Sequence, residues 1–414
     1  MATLNRFPIG FWNNGDDLLE ADPVERVNEW VELGFTWAMT PGFDGNDPQR
    51  RQQVTRLLDL AHERGIKMLI FDRRAEAPGS PWTEPTRSLP LAPNYKITAT
   101  AAVRDWAGHP AAWGLYVCDE PLIGNLPAVA EACRFIRSLN SGLHPYVNLL
   151  PDHRIDGGVA RQVGFTDFNA YLDDYLAVTG DTLLCYDCYC QTAPEFGGRE
   201  RYFLNLAEVQ AASLRHKAPF WLITLSMGHW MYRTPTEHEL RWEFNTALAY
   251  GAQGVLWFLY RGGGRFGYGA PVDELGQRGP LFAAMRRLHQ WFQQHWEERF
   301  RRLTITRTMH LPVAPHGCLP FVADGLVSSL RTDLGVADLL IAEGHDDQGR
   351  GHVMVVNNDC VNHVRLDLRL RGSRFFRVDE GGEALLGDSA AAVGPVGCGD
   401  YLMPGAALLF RVEA

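Results

Sequence analysis

Eight short apolar runs, each followed by a stretch with helical spacing, occupy about the first 300 residues of this 414-residue chain. Strand-like runs that alternate with amphipathic segments are the mark of parallel βα units. The runs are Pro8 to Trp12, Thr36 to Thr40, Lys67 to Asp72, Gly114 to Glu120, Pro145 to Leu150, Thr182 to Tyr189, Phe220 to Ser226 and Gly254 to Tyr260. Between them, segments such as Pro23 to Leu33, Arg51 to Arg64, Leu126 to Leu139, Leu204 to His216 and Glu237 to Tyr250 place apolar residues three and four apart. Several stop before a glycine (Gly34, Gly65, Gly251), which adopts the left-handed conformation without a side-chain penalty. The pattern predicts a (β/α)₈ barrel over residues 1–300. No Gly-x-Gly-x-x-Gly follows the first run, so a dinucleotide-binding fold lacks its main support.

Near residue 300 the period changes. Val353 to Asn358 and Val364 to Leu370 alternate with period two, and a last run, Ala406 to Val412, follows the turn Pro404-Gly405. Residues 301–414 therefore read as a small all-β sandwich, packed closely because no low-complexity linker separates it from the barrel.

A net charge of −10 disfavours nucleic acid and anionic lipid as partners, since both call for clustered Lys and Arg. No apolar run approaches the roughly 20 residues that span a bilayer. Met1 to Pro8 shows no secretory signal pattern, so a cytoplasmic location is the expectation. Eight cysteines, most of them single within apolar runs, suit a reducing compartment. Cys185, Cys188 and Cys190 cluster, but strand alternation divides them between two faces and no second pair follows. With no histidine pair at ligand spacing on the strand ends, neither a metal nor another cofactor is expected.

In a parallel barrel the last residues of each strand face the active-site mouth. Those positions hold Trp12, Asn13 and Asn14; Thr40; Asp72, Arg73 and Arg74; Asp119 and Glu120; Asn148 and Asp152; Asp187 and Tyr189; Ser226, His229 and Trp230; and Trp257, Tyr260 and Arg261. The rim is rich in aromatics, amides and carboxylates, the mixture that suits a sugar, whose faces are C–H surface and whose edge is hydroxyls. The Gly-rich run Arg261 to Gly269 lacks the Lys-Ser/Thr ending of a phosphate loop and reads as an aromatic-bearing lid.

The fourth run, Gly114-Leu115-Tyr116-Val117-Cys118-Asp119-Glu120-Pro121, with a tyrosine-bearing sixth run and an eighth entered through Ala247 to Gly254, resembles the barrel glycoside hydrolases of clan A. The resemblance implies hydrolysis of an O-glycosidic bond in an oligo- or polysaccharide, with Glu120 as the acid/base. The strand-end positions assign the substrate site to Trp12, Asn13, Asp72, Asp119, Asn148, Tyr189, His229, Trp230, Trp257 and Tyr260.

One departure matters. Clan A enzymes carry a nucleophilic glutamate on the seventh strand, whereas Phe220 to Trp230 contains no carboxylate. Glycoside cleavage ordinarily needs two carboxyl groups, so the second must come from elsewhere: Asp187 first, then Asp72, Asp119, Glu237 or Glu239. Asp119 ranks low because alternation aims adjacent strand residues at opposite faces. Three readings compete with hydrolysis by Glu120 and Asp187: an ion pair of Glu120 with Arg73 or Arg74, a sugar-binding barrel without catalysis, and a polysaccharide lyase.

Overall fold

The computed structural model describes residues 4–13, 17–19, 22–78, 90–152, 167–191, 198–262, 267–332, 337–388, 393–396 and 401–413. All eight runs form strands: β1 (Ile9–Phe11), β2 (Trp37–Met39), β3 (Lys67–Ile70), β4 (Ala112–Asp119), β5 (His144–Asn148), β6 (Leu184–Asp187), β7 (Phe220–Leu225) and β8 (Val255–Phe258). They alternate with helices α1 (Pro23–Leu33), α2 (Pro48–Glu63), α3 (Tyr95–Trp106), α4 (Leu126–Ser138), α5 (Phe168–Thr179), α6 (Gly198–His216), α7 (Glu237–Ala249) and α8 (Pro280–His295). Local chemistry sets the helix ends. Asp22 caps α1 by accepting from Val24 N, and Gly34 closes that helix with φ 79°.

The strands form two parallel four-stranded sheets, ordered β2-β3-β4-β5 and β1-β8-β7-β6. Backbone hydrogen bonds cross both seams. Thr36 N donates to Ile9 O at 2.9 Å between β2 and β1, and Leu149 N to Cys185 O at 2.8 Å between β5 and β6.

Side chains from all eight strands or their immediate ends meet in one interior cluster. At its heart Trp37, Trp113 and Trp221 pack with ring centroids 5.0 to 5.8 Å apart. Glycines make the room. A Cβ on Gly10 would stand 2.6 Å from Trp37 O, and one on Gly254 would stand 2.7 Å from the Trp221 ring. The three indoles thus pack as the centre of a buried cluster shared by both sheets.

Just beyond β3, Asp72 is wholly buried. It accepts from Arg74 N (3.0 Å), Arg74 Nη2 (2.7 Å) and Trp106 Nε1 (2.8 Å), while Arg74 Nη2 also donates to Asp105 Oδ2 at 2.9 Å. This network joins the β3 terminus to α3.

After residue 300 the sheets are mainly antiparallel. One has seven strands: β9 (Thr304–Leu311), β10 (Leu319–Pro320), β12 (Leu339–His345), β13 (Gly351–Asn357), β15 (Arg374–Asp379), β16 (Gly382–Asp388) and β19 (Ala407–Glu413), in the order β10-β9-β12-β13-β19-β15-β16. The other holds β11 (Val327–Thr332), β14 (Val364–Arg371) and β17 (Val393–Val396), with β18 (Tyr401–Leu402) also paired to β14. Alternation explains their packing. Leu339, Ile341, Val353, Val355 and Phe410 join Leu366 and Leu368 in a core between these two sheets. Leu340, Ala342, Met354, Val356 and Leu409 turn the other way, into the cluster that contains Phe244, Leu248 and Phe292 of α7 and α8. Trp242 Nε1 donates to Asn358 Oδ1 at 2.7 Å, and Asn245 Nδ2 to Gly405 O at 2.9 Å, across the same junction.

Two stability measurements follow from this packing. Leu340→Ala, at the junction, should lower unfolding stability by about 2–5 kcal/mol in a denaturant titration, and Leu214→Ala, on the exposed face of α6, by under about 0.5 kcal/mol. Asp72→Ala leaves the Arg74 guanidinium with Asp105 and takes the acceptor from buried Trp106 Nε1, and should cost about 1–3 kcal/mol in the same titration.

Candidate active site

Strict alternation would send Asp119 and Glu120 to opposite sides of β4. Two local features change that. The β4–β5 register shifts between Tyr116 and Cys118, the signature of a bulge. Glu120 then takes φ 46°, a left-handed backbone directly before Pro121 that is strained for a non-glycine residue. Glu120 N still donates to Asn148 O at 2.8 Å, so the pairing with β5 extends one residue past the strand. Asp119 is partly exposed, whereas Glu120 is buried.

Asp119 and Asn148 are register partners at the ends of β4 and β5, and Asp187 ends β6. The amide of Asn148 links the three. Its Nδ2 donates to Asp119 Oδ1 at 2.9 Å and to Asp187 Oδ1 at 2.8 Å. For the roughly 120° fork of an amide group, two such bonds hold the acceptor oxygens about 5 Å apart. Burial pushes the Asp119 carboxyl up to about 7, helped by the charges of Asp187 and Glu76, while the Asn148 hydrogen bond pulls the other way. The Tyr189 hydroxyl is held well above the usual phenol range by burial, with the charges of Asp187, Glu120 and Asp119 adding to the effect.

Aromatic side chains continue the surface. The Tyr189 ring lies 5.5 Å from Tyr232, 5.8 Å from Phe258 and 6.3 Å from His229. His229 stacks on Trp230. Opposite, Trp12 packs edge-on against Tyr116 at 5.9 Å, and Phe71 lies 3.9 Å from Tyr116. Asn13 Nδ2 donates to Met39 O at 3.2 Å.

Three residues expected at the site are elsewhere. Trp257 is fully buried and donates from Nε1 to His289 Nε2 at 2.9 Å, because alternation in β8 turns it out toward α8 and turns Phe258 in. Tyr260 is buried against Phe11, with ring centroids 4.4 Å apart, and its hydroxyl accepts from Trp30 Nε1 at 2.7 Å. Asp72 is locked in the network with Arg74 described above. Among the other acids considered, Glu239 caps α7 and pairs with Arg233, and Glu237 pairs with Arg287. Of the two arginines in the competing ion-pair reading of Glu120, Arg74 pairs with Asp72 and Asp105. Cys188 and Cys190 are buried, and Cys190 Sγ donates to Glu243 Oε1 at 3.6 Å. Asn14 and residues 263–266 of the Gly-rich run lie outside the described residues.

Two neighbours of the acids escaped the strand-end rule. Glu76, half-buried and with its carboxyl raised by burial, lies beyond the short turn Arg73–Ala75. Phe258 was legible from alternation alone, one residue after Trp257.

No protein-family model matches the sequence, nor does any curated protein. Solved structures do resemble the fold. A glycoside hydrolase family 5 protein from Bacteroides vulgatus ATCC 8482 aligns over 98% of this chain and 89% of its own, with TM-score 0.59 and 12% identity. A second structure, named simply as a glycoside hydrolase, aligns over 99% and 93%, with TM-score 0.57 and 10% identity. At such identities the likeness is one of fold.

Proposed function

We propose that this chain is a glycoside hydrolase that cleaves an O-glycosidic bond of an oligo- or polysaccharide at the mouth of a closed (β/α)₈ barrel. The barrel would span residues 1–300 and carry a β-sandwich over 301–414. The hydrogen bonds across both seams and the shared buried cluster support closure; the core between the two C-terminal sheets supports the sandwich.

The observation that carries the reading is the amide bridge from Asn148 to Asp119 and Asp187. Its oxygen spacing of about 5 Å falls near the 5–5.5 Å separation of retaining enzymes. In this reading Asp187 supplies from β6 the carboxylate that β7 lacks. Asp119, whose environment keeps its proton near neutral pH, gives that proton to the glycosidic oxygen as Asp187 attacks the anomeric carbon and the leaving group departs. A glycosyl ester on Asp187 results. Esterification removes the negative charge that helped raise Asp119, so its pKa falls and it can take a proton from the water that attacks the anomeric carbon and frees Asp187. Phe258, Trp12 and Tyr116 would offer apolar faces to the sugar, with Asn13, Asn148 and Tyr189 at its hydroxyl edge.

A second assignment has its own support. Strained backbone tends to collect at reacting groups, and Glu120, at φ 46°, is the strained member of the doublet. Under that assignment Glu120 is the proton donor and Asp119 tunes it.

Reducing ends released from neutral oligosaccharides by wild type, Asp119→Asn, Glu120→Gln and Asp187→Asn separate these cases. Asp119→Asn and Asp187→Asn should each lose about 10²–10⁴-fold in kcat, and Glu120→Gln under about tenfold. The reverse ranking of Asp119 and Glu120 would establish the second assignment; full activity in Asp187→Asn would remove the hydrolase mechanism.

The pH dependence has a definite sign. An acid that must be protonated and whose pKa lies about 7 makes kcat/KM fall above that pH, about tenfold per unit, and Asp119→Asn should abolish this limb. The folded chain also keeps a proton that the unfolded chain has shed between pH about 4 and 7. Stability attributable to Asp119 therefore declines across that window and stays low above it, and Asp119→Asn should melt higher than wild type at pH 8.

A further inference from the structure

The loops after β7 and β8 present large aromatic side chains to solvent. Trp230 is 67% exposed and Tyr268 is 59% exposed. Neither is loosely held. Trp230 has φ 50°, an outlier for a bulky residue, and its indole stacks on the His229 ring at 5.0 Å and 18°. Tyr268 and Gly228 exchange backbone hydrogen bonds of 2.8 and 3.0 Å. Gly228 has no side chain where one would collide: a Cβ there would lie 2.6 Å from Tyr268 Cζ. The tyrosine ring thus lies over the loop that bears His229 and Trp230.

This surface is continuous with the candidate site. The His229 ring is 4.9 Å from Phe258 and 6.3 Å from Tyr189, and Tyr189 follows Asp187 by two residues. Charge limits what can lie there. Glu76, Asp119, Glu120 and Asp187 bring acidic groups to the mouth. Arg201 Nη2 donates to Tyr189 O at 2.6 Å and to the Tyr232 hydroxyl at 3.0 Å, Arg233 pairs with Glu239, and the exposed Arg73 lies near enough to Glu76 to act on its charge. The four acidic groups outweigh the exposed guanidinium of Arg73 near Glu76, so the charge of the site favours a neutral sugar over an anionic one.

We infer that His229, Trp230 and Tyr268 form a shelf for a second sugar ring, one ring removed from the bond-breaking carboxyls, and that its occupant is a neutral oligosaccharide of at least two rings. The inference rests on the hydrolase reading for the location of the first ring. The indole offers the flat C–H-binding face that a pyranose requires, and the strained backbone holds it ready at the rim of the acidic cleft.

The test is binding, so that it stands apart from turnover. Full-length Asp187→Asn protein is titrated calorimetrically with neutral gluco-, manno-, galacto- and xylo-oligosaccharides of one to four rings, and with oligogalacturonate. Neutral ligands of two or more rings should bind, and adding Trp230→Ala should weaken them about tenfold while monosaccharide affinity stays unchanged. Trp230→Phe should restore most of the loss, and Tyr268→Ala should repeat it in part. Equal affinity for two-ring ligands with and without the indole would overturn the shelf, as would preferential binding of oligogalacturonate. A dimer in ultracentrifugation that dissociates on Trp230→Ala, with sugar affinity intact, would make the surface a contact between copies and overturn it as well. Wild-type release of reducing ends from the same panel, whatever Trp230→Ala does, keeps the hydrolase reading separate; a panel with neither binding nor release defeats both.

Discussion

One amide nitrogen organises the mouth of this protein. Asn148 Nδ2 donates to carboxylates from two different strands, 2.9 Å to Asp119 and 2.8 Å to Asp187. Two carboxylates this close repel when both are charged, and a donor shared between them offsets part of that cost while fixing their spacing. The remaining repulsion, added to burial, favours a proton on one of the two. A carboxyl and a carboxylate facing one another at sugar width is the arrangement that acid-assisted displacement needs.

The scaffold makes that arrangement affordable. The glycine-seated indoles of Trp37, Trp113 and Trp221 fill the interior below, so the polar strand ends lie above a packed floor. The bulge in β4 and the left-handed backbone at Glu120 then let two consecutive acids approach one cluster. On the opposite side, the sheets after residue 300 share a core with α7 and α8. The helices α7 and α8 are thereby backed by a second apolar layer behind β8, which carries Phe258, and the loop that carries His229 and Trp230.

Much of this was legible in the sequence. Apolar runs and glycine stops located all eight strands, because burial on both faces makes a parallel strand apolar throughout. Strand-end reasoning also brought Asn148, Asp187, Tyr189 and His229 to the candidate site. It failed where a short-range rule met a longer-range partner. Asp72 has the right position, but Arg74 and Trp106, the latter on α3, claim its carboxylate. Alternation within β8 already turns Trp257 outward, whereas Tyr260, two residues past the strand, is drawn to Phe11 and Trp30. Asp119 was set aside by alternation, which the bulge undoes. Glu76 lies past the strand end, where no periodicity reaches.

The stereochemical course of hydrolysis is the most direct measurement of the central claim. Proton NMR of the first sugar anomer released, recorded before mutarotation, should show retained configuration, as carboxylate oxygens held about 5 Å apart by Asn148 require. An inverted first product would mean that the reacting pair is wider than the Asp119–Asp187 bridge allows, and would contradict the account.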